Sequence, residues 1–240
     1  MASGIRAYRQ SLGISQLALA KALGVTQAYV SQLEAGLRPV TSQVAERLAA
    51  LPEARRLPAT VFPVEGSGLD AADADVAADL AALGYPGFEP RDRHRPRNPA
   101  AVIMAIIGRR QVAPAVMAAI PWVLLHFPDL DTGWLVAQAR LNNLQNRLGF
   151  LTDLALQIKD AAHLVPLRAA LEESRLAKED TLARELSASE REFFRENRSD
   201  LARHWNLLTG VTRKMVTGTI FTFRVTESDS AGSNSSGRSA

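Results

Sequence analysis

The sequence contains no cysteine. Disulfides, thiolate metal centres and thiol nucleophiles are therefore excluded, and the chain suits a reducing, cytoplasmic compartment. Histidine is scarce, and His94, His126, His163 and His204 are scattered with no pair at metal-ligand spacing. No glycine-rich phosphate loop and no nucleophile elbow is present. No metal, no cofactor and no catalytic constellation is expected, so an enzyme is disfavoured. Asp129 and Asp131 would point the same way only in extended backbone, and helix capping is the expected role there. No apolar run reaches the roughly 18 residues of a membrane span. The longest, 101–107 and 113–127, are interrupted by Pro114 and Pro121. The start, MASGIRAYRQ, has no apolar core of the signal-peptide kind. Neither charge sign dominates: the net charge is +3. That balance permits nucleic-acid binding without arguing for it.

What is present begins at residues 15–39, SQLALAKALGVTQAYVSQLEAGLRP. Ser15 can cap a helix running to Leu23, because its hydroxyl can accept from an unpaired first-turn N–H. Leu19 and Leu23, four apart, share one face. Ala20 lies where a partner helix would come closest. Gly24 ends the helix, since glycine takes the left-handed conformation of a tight turn at little cost. Thr26 is a second cap, opening a helix from Gln27 to about Glu34, with Val30 and Leu33 inward. A further helix is predicted at about Thr41–Leu51, with Val44, Leu48 and Leu51 facing the core and Pro52 beyond.

This combination resembles the helix-turn-helix core of the XRE/Cro, phage-repressor-like family over residues 5–51. The resemblance implies an all-α, lambda-repressor-like domain that lays its second motif helix in the DNA major groove. Gln27, Ala28 and Gln32 would then read bases. Gln can offer a donor and an acceptor together to adenine, and Ala28 only apolar contact. Gln16 would contact a phosphate and brace Gln27. Arg38 is the best phosphate candidate, and Tyr29 packs either on the DNA backbone or inside the domain. In this family an Arg of the first helix often pairs with a Glu ending the recognition helix, and Arg9 and Glu34 occupy those places. Gly36, Arg38 and Pro39 resemble the usual exit from that helix.

Residues 1–58 carry Arg6, Arg9, Lys21, Arg38, Arg47, Arg55 and Arg56 against Glu34, Glu46 and Glu53, a modest basic excess. A single module would bind weakly, so a homodimer on an inverted repeat of double-stranded DNA is expected, with half-sites about 34–36 Å apart.

Residues 59–98 read as a linker. Its first part is acidic, with Glu65, Asp70, Asp73, Asp75 and Asp79, and a short helix is possible over 71–83. Its second is Pro-rich and basic, with Arg91, Arg93, Arg95 and Arg97. These arginines could touch DNA, pair with the acidic patch or remain solvated. From 99 to 216 the pattern is helical, a domain for dimerisation, effector binding or a protein partner. Asn98-Pro99 is a helix start, and Asp131 caps a helix reaching Leu144. Gly149 marks a change of helix, while Phe150, Leu154 and Ile158 continue an apolar face. Leu171, Arg175, Lys178 and Glu179 share an exposed helix. Ser189 and Glu192 form a capping box, and Trp205, Leu207 and Leu208 a last helix. The polar run Asn142, Asn143, Gln145, Asn146 and Arg147 could form an effector pocket or a partner contact, or be the exposed face and end of a helix. Trp122 and Trp134 are expected in the core. Residues 217–225 read as a strand-like end, followed by a disordered tail to 240.

The segment GWLVAQARLNNLQNRLGFLTDLA is also similar to C-terminal regions of bacterial antitoxins whose toxins are nucleotidyltransferases. Two functions follow. One is a transcriptional regulator, a repressor. The other is an antitoxin whose C-terminal domain binds its partner enzyme and whose N-terminal domain represses the shared promoter.

Overall fold

A computed structural model describes residues 4–51, 58–64, 76–89, 97–182 and 184–218. The described residues are mostly helical and build two hydrophobic cores. No helix among them is long and apolar enough to cross a membrane.

The first core comes from four helices of eight residues each: α1 (Gly4–Ser11), α2 (Gln16–Leu23), α3 (Gln27–Glu34) and α4 (Ser42–Ala49). Such short helices are marginal alone, so packing and caps must hold them. The N-caps of α2, α3 and α4 are visible. The hydroxyls of Ser15, Thr26 and Thr41 accept from the backbone N–H of Ala18, Tyr29 and Val44. Gly24 closes α2 with φ 62°, the left-handed value that favours glycine. Ile5, Tyr8, Leu19, Ala20, Leu23, Val30, Leu33, Val44 and Leu48 are buried together. Leu51 is only partly buried, beyond the end of α4.

The second core is larger. It is built by α5 (Val76–Ala82), α6 (Pro99–Ile107), α7 (Pro114–His126), α8 (Thr132–Leu141), α9 (Gln145–Ile158), α10 (Val165–Glu173) and α12 (Asp200–His204), whereas α11 (Ala188–Asn197) buries no residue in it. Every residue of α6 is buried, and α9 packs against α7, α10 and α12. Trp122 and Trp134 pack on this core, partly buried.

Several expectations are corrected here. Much of the described part of 59–98 is packed structure: Ala59, Val76, Leu80, Leu83 and Tyr85 belong to the second core. Asn98 caps α6 and also donates to the carbonyl of Phe62 at 2.6 Å, while Thr60 donates to Asp129. Asp129 is thereby a tether. Arg97 pairs with the buried Asp79 at 2.9 Å. Arg91, Arg93 and Arg95, and Glu65, Asp70, Asp73 and Asp75, lie outside the described residues. Asp131 does cap α8, but that helix stops at Leu141, short of Leu144, because Asn143 turns left-handed with φ 57°.

Gly149 is no helix change. It sits inside α9, where Trp205 covers it. The polar run divides: Asn142 closes α8 and Asn143 is exposed, but Gln145 and Asn146 are buried in α9 and form no exposed face. Asn146 is buried and brackets Leu176, donating to its carbonyl at 2.9 Å and accepting its N–H at 2.8 Å. Arg147 grips both oxygens of Asp180, at 2.7 and 3.0 Å, and donates to the carbonyls of Ile107 and Arg109.

α10 ends at Glu173, so Arg175, Lys178 and Glu179 lie beyond it, and Leu171 is buried. The capping box is Ser187 with Glu190, two residues earlier than expected. Ser187 and Arg184 hold the Glu190 carboxyl down to about 2. Leu207 and Leu208 form no helix. They are strand β2 (Leu207–Leu208), paired in parallel with β1 (Asp180–Thr181), Asp180 opposite Leu207. Residues 213–218 are helical, so 217 and 218 are not strand-like, and 219–240 lie outside the described residues.

Candidate nucleic-acid interface

α2 and α3 are joined by Gly24, Val25 and Thr26, a three-residue turn. The N–H of Val25 donates back to Ala20, and Gly24 to Lys21, so the turn is pinned by backbone bonds. Arg47, reaching over from α4, donates to the carbonyls of Leu23 at 2.7 Å and Gly24 at 3.4 Å. It satisfies acceptors that the end of α2 leaves open. The sequence offered Arg47 only as one charge among seven, because its target lies 23–24 residues away. Arg47→Ala is expected to lower the stability of the four-helix unit by about 1 kcal/mol. A urea midpoint followed by helical circular dichroism measures this, and no change would mean that water replaces the cap at no cost.

The other end of α3 is fixed by Glu34. Its side chain is 0% exposed and receives Arg9, itself 16% exposed, at 2.6 Å. A second Arg9 bond reaches the other carboxylate oxygen at 3.2 Å, so the pair is bidentate. Gln16 Nε2 donates to Glu34 at 3.0 Å, and Arg6 stands 3.5 Å away. The Arg9 guanidinium, helped by Gln16 and Arg6, holds the Glu34 carboxyl below its ordinary range despite burial. α1, α2 and α3 thus converge on one carboxylate. Gln16 makes no bond to Gln27 here. Its amide belongs to the Glu34 cluster, a link that the phosphate-and-Gln27 assignment had not foreseen. One N–H of that amide remains for another acceptor.

The outward surface of α3 begins with Gln27 and Ala28, both exposed. Gln32, half-buried, follows Ala28 by four residues and so shares its face. Exposed Ser31 follows Gln27 in the same way and was missed in the sequence, where Ser carries no distinctive signal. Tyr29 is half-buried against the first core. The Arg38 guanidinium carbon lies 5.5 Å from the centre of its ring.

Of the cations in this unit, Arg6 and Arg9 are turned onto Glu34 and Arg47 onto carbonyls. Among the described residues, Lys21 and Arg38 are exposed and carry no hydrogen bond or ion pair. Arg55 and Arg56 lie outside the described residues.

No curated protein and no solved structure matches the chain. A family model described as a helix-turn-helix matches residues 5–53, which span α1 to the end of α4. Residues 5–53 are therefore a DNA-binding helix-turn-helix domain of the XRE family.

Proposed function

We propose that the chain is a sequence-specific transcriptional regulator, a repressor, acting in the cytoplasm as a dimer on an inverted-repeat operator. The observation that carries this is the condition of α3. It is fixed at its start by the Thr26 cap and at its end by Glu34, yet Gln27, Ala28 and Ser31 are open. A helix held at both ends with an uncommitted polar face is suited to the major groove. Gln27 and Gln32 read bases, each bidentate contact worth about 1–3 kcal/mol of discrimination. Gln16 and Arg38 hold the backbone. With Lys21 and Arg38 the uncommitted described cations, each module neutralises few phosphates, so dimerisation through the second core supplies the missing affinity.

The test is capture of sheared genomic DNA by the purified chain, sequenced beside a Gln27→Ala, Gln32→Ala variant. Wild type is expected to enrich an inverted repeat, and the variant to lose it by about tenfold or more. Enrichment of nothing by either protein would sink base reading by α3. An enriched site in front of the chain's own operon would mean autoregulation, by a simple repressor or by an antitoxin.

A further inference from the structure

Tyr29 and Arg38 are nine residues apart, and the path between them is tightly set. α3 ends at Glu34, and Gly36 then takes φ 71°. The N–H of Gly36 donates to Leu33 at 3.1 Å and that of Leu37 to Gln32 at 2.9 Å. This closure reverses the chain and brings Arg38 back beside the first turn of α3. There the guanidinium stands over the Tyr29 ring, 5.5 Å from its centre. One side of the ring is anchored in the first core, so the ring is a fixed platform.

We propose that Tyr29 is a positioning residue that holds the Arg38 guanidinium at the rim of α3 as a phosphate clamp. The proposal rests on α3 being the helix that meets DNA, and it gives Tyr29 a role distinct from direct contact with the DNA backbone. A cation–π contact holds the guanidinium through its charge and supplies it with no carboxylate or carbonyl acceptor. The five N–H donors lie in the guanidinium plane and stay available at its edges. A carboxylate partner would consume those donors, as Glu34 does for Arg9, and Arg38 has none among the described residues. The ring therefore orients the cation and leaves its hydrogen bonds for phosphate. Holding the long side chain in place beforehand removes rotamer freedom that binding would otherwise have to remove. The position counts because Arg6, Arg9 and Arg47 are already occupied within the fold.

The experiment is fluorescence anisotropy of a labelled mixed-sequence duplex titrated with the full chain across a salt series. Arg38→Ala is expected to weaken binding and to flatten the dependence of log affinity on log salt by about 0.9 per module. Tyr29→Leu is expected to weaken binding about threefold, and Tyr29→Phe, which keeps the ring, to restore the wild-type value. In the Arg38→Ala background Tyr29→Leu is expected to have no further effect. Equal damage from Phe and Leu would mean that the hydroxyl touches DNA itself. Equal damage from Tyr29→Leu with and without Arg38 would mean that only packing is lost. Either result overturns the proposal.

Arg38→Lys covers the case in which Tyr29→Leu does not fold. Lysine keeps the charge but lacks the planar face, so a loss of about threefold is expected. Wild-type binding by that variant would overturn the proposal. Failure of the wild-type chain to bind any duplex would overturn the reading of α3 and this proposal with it.

Discussion

Glu34→Ala is expected to destabilise the helix-turn-helix unit by about 3 kcal/mol near neutral pH. The size follows from burial. Glu34 is fully enclosed and Arg9 is only 16% exposed, so removing the acid leaves a guanidinium that water can barely reach. The Gln16 amide loses its acceptor in the same step. A surface ion pair would cost under about 1 kcal/mol, because water would take over both partners. Domains of ordinary size are stable by only about 5–15 kcal/mol, and one of four short helices stands near the bottom of that range. The variant should therefore lose its N-terminal helices at markedly lower urea, while the second core, which contains neither residue, unfolds as before. DNA binding should fall with them, since α3 loses its tie to α1 and α2.

The effect has a pH signature that separates it from mere loss of volume. Arg9 lowers the folded-state pKa of Glu34. A carboxyl depressed in the folded state contributes stability that is full above its unfolded pKa, about 4.3. That contribution is lost as the pH falls through the lower folded value. The gap in urea midpoint between wild type and Glu34→Gln should hold steady from about pH 6 to pH 8 and shrink below about pH 4. A gap that stays constant into acid, or a variant as stable as wild type at neutrality, would show that the pair contributes as little as an exposed one.

What could be read from the sequence was local. Ser15, Thr26, Asn98 and Asp131 announce helix starts because a cap needs only its own side chain and an N–H two or three residues on. Gly24 announces a turn for the same reason. Gln27, Ala28, Gln32 and Arg38 are legible only through likeness to a family, and the structure puts them on or beside one helix. What could not be read depends on distant partners. Gln16 lies 18 residues from Glu34, so the bond of its amide to that carboxylate has no local signal. Asn146 is polar in an apolar stretch, and only the Leu176 backbone, 30 residues away, explains its burial. Ser187 and Ser189 each precede a Glu by three residues, so the capping pattern fits twice. The tertiary contact of Glu190 with Arg184 sides with the earlier one. Leu207 and Leu208 look helical until Asp180 and Thr181 are seen beside them.

Gly149 shows the same limit most sharply and carries the second large effect. Glycine inside a helix ordinarily costs about 1 kcal/mol relative to alanine, so Gly149→Ala should stabilise α9 on propensity alone. The packing says otherwise. A Cβ at 149 would lie 2.6 Å from Cζ2 of Trp205 and closer still to Cζ3 and Cη2. The indole has little room to retreat. It is fully buried, and its Nε1 donates to Asp153, one turn beyond Gly149 on the same helix, at 2.8 Å. Asp153 is held in turn by Arg168 at 3.1 Å. Overpacking of this kind costs about 1–3 kcal/mol. Displacing the ring would also strand a buried N–H, for about 1–3 kcal/mol more. These losses outweigh the propensity gain, and Gly149→Ala is expected to destabilise the second core by roughly 2 kcal/mol. The proof is the double variant. Trp205→Phe removes the far edge of the indole, so in that background Gly149→Ala should be neutral or stabilising by up to about 1 kcal/mol. The sign of one substitution would thus reverse with the identity of a residue 56 positions away. If Gly149→Ala stabilises the wild-type chain, measured by urea unfolding, then the close approach of α9 and Trp205 is not what keeps glycine at 149.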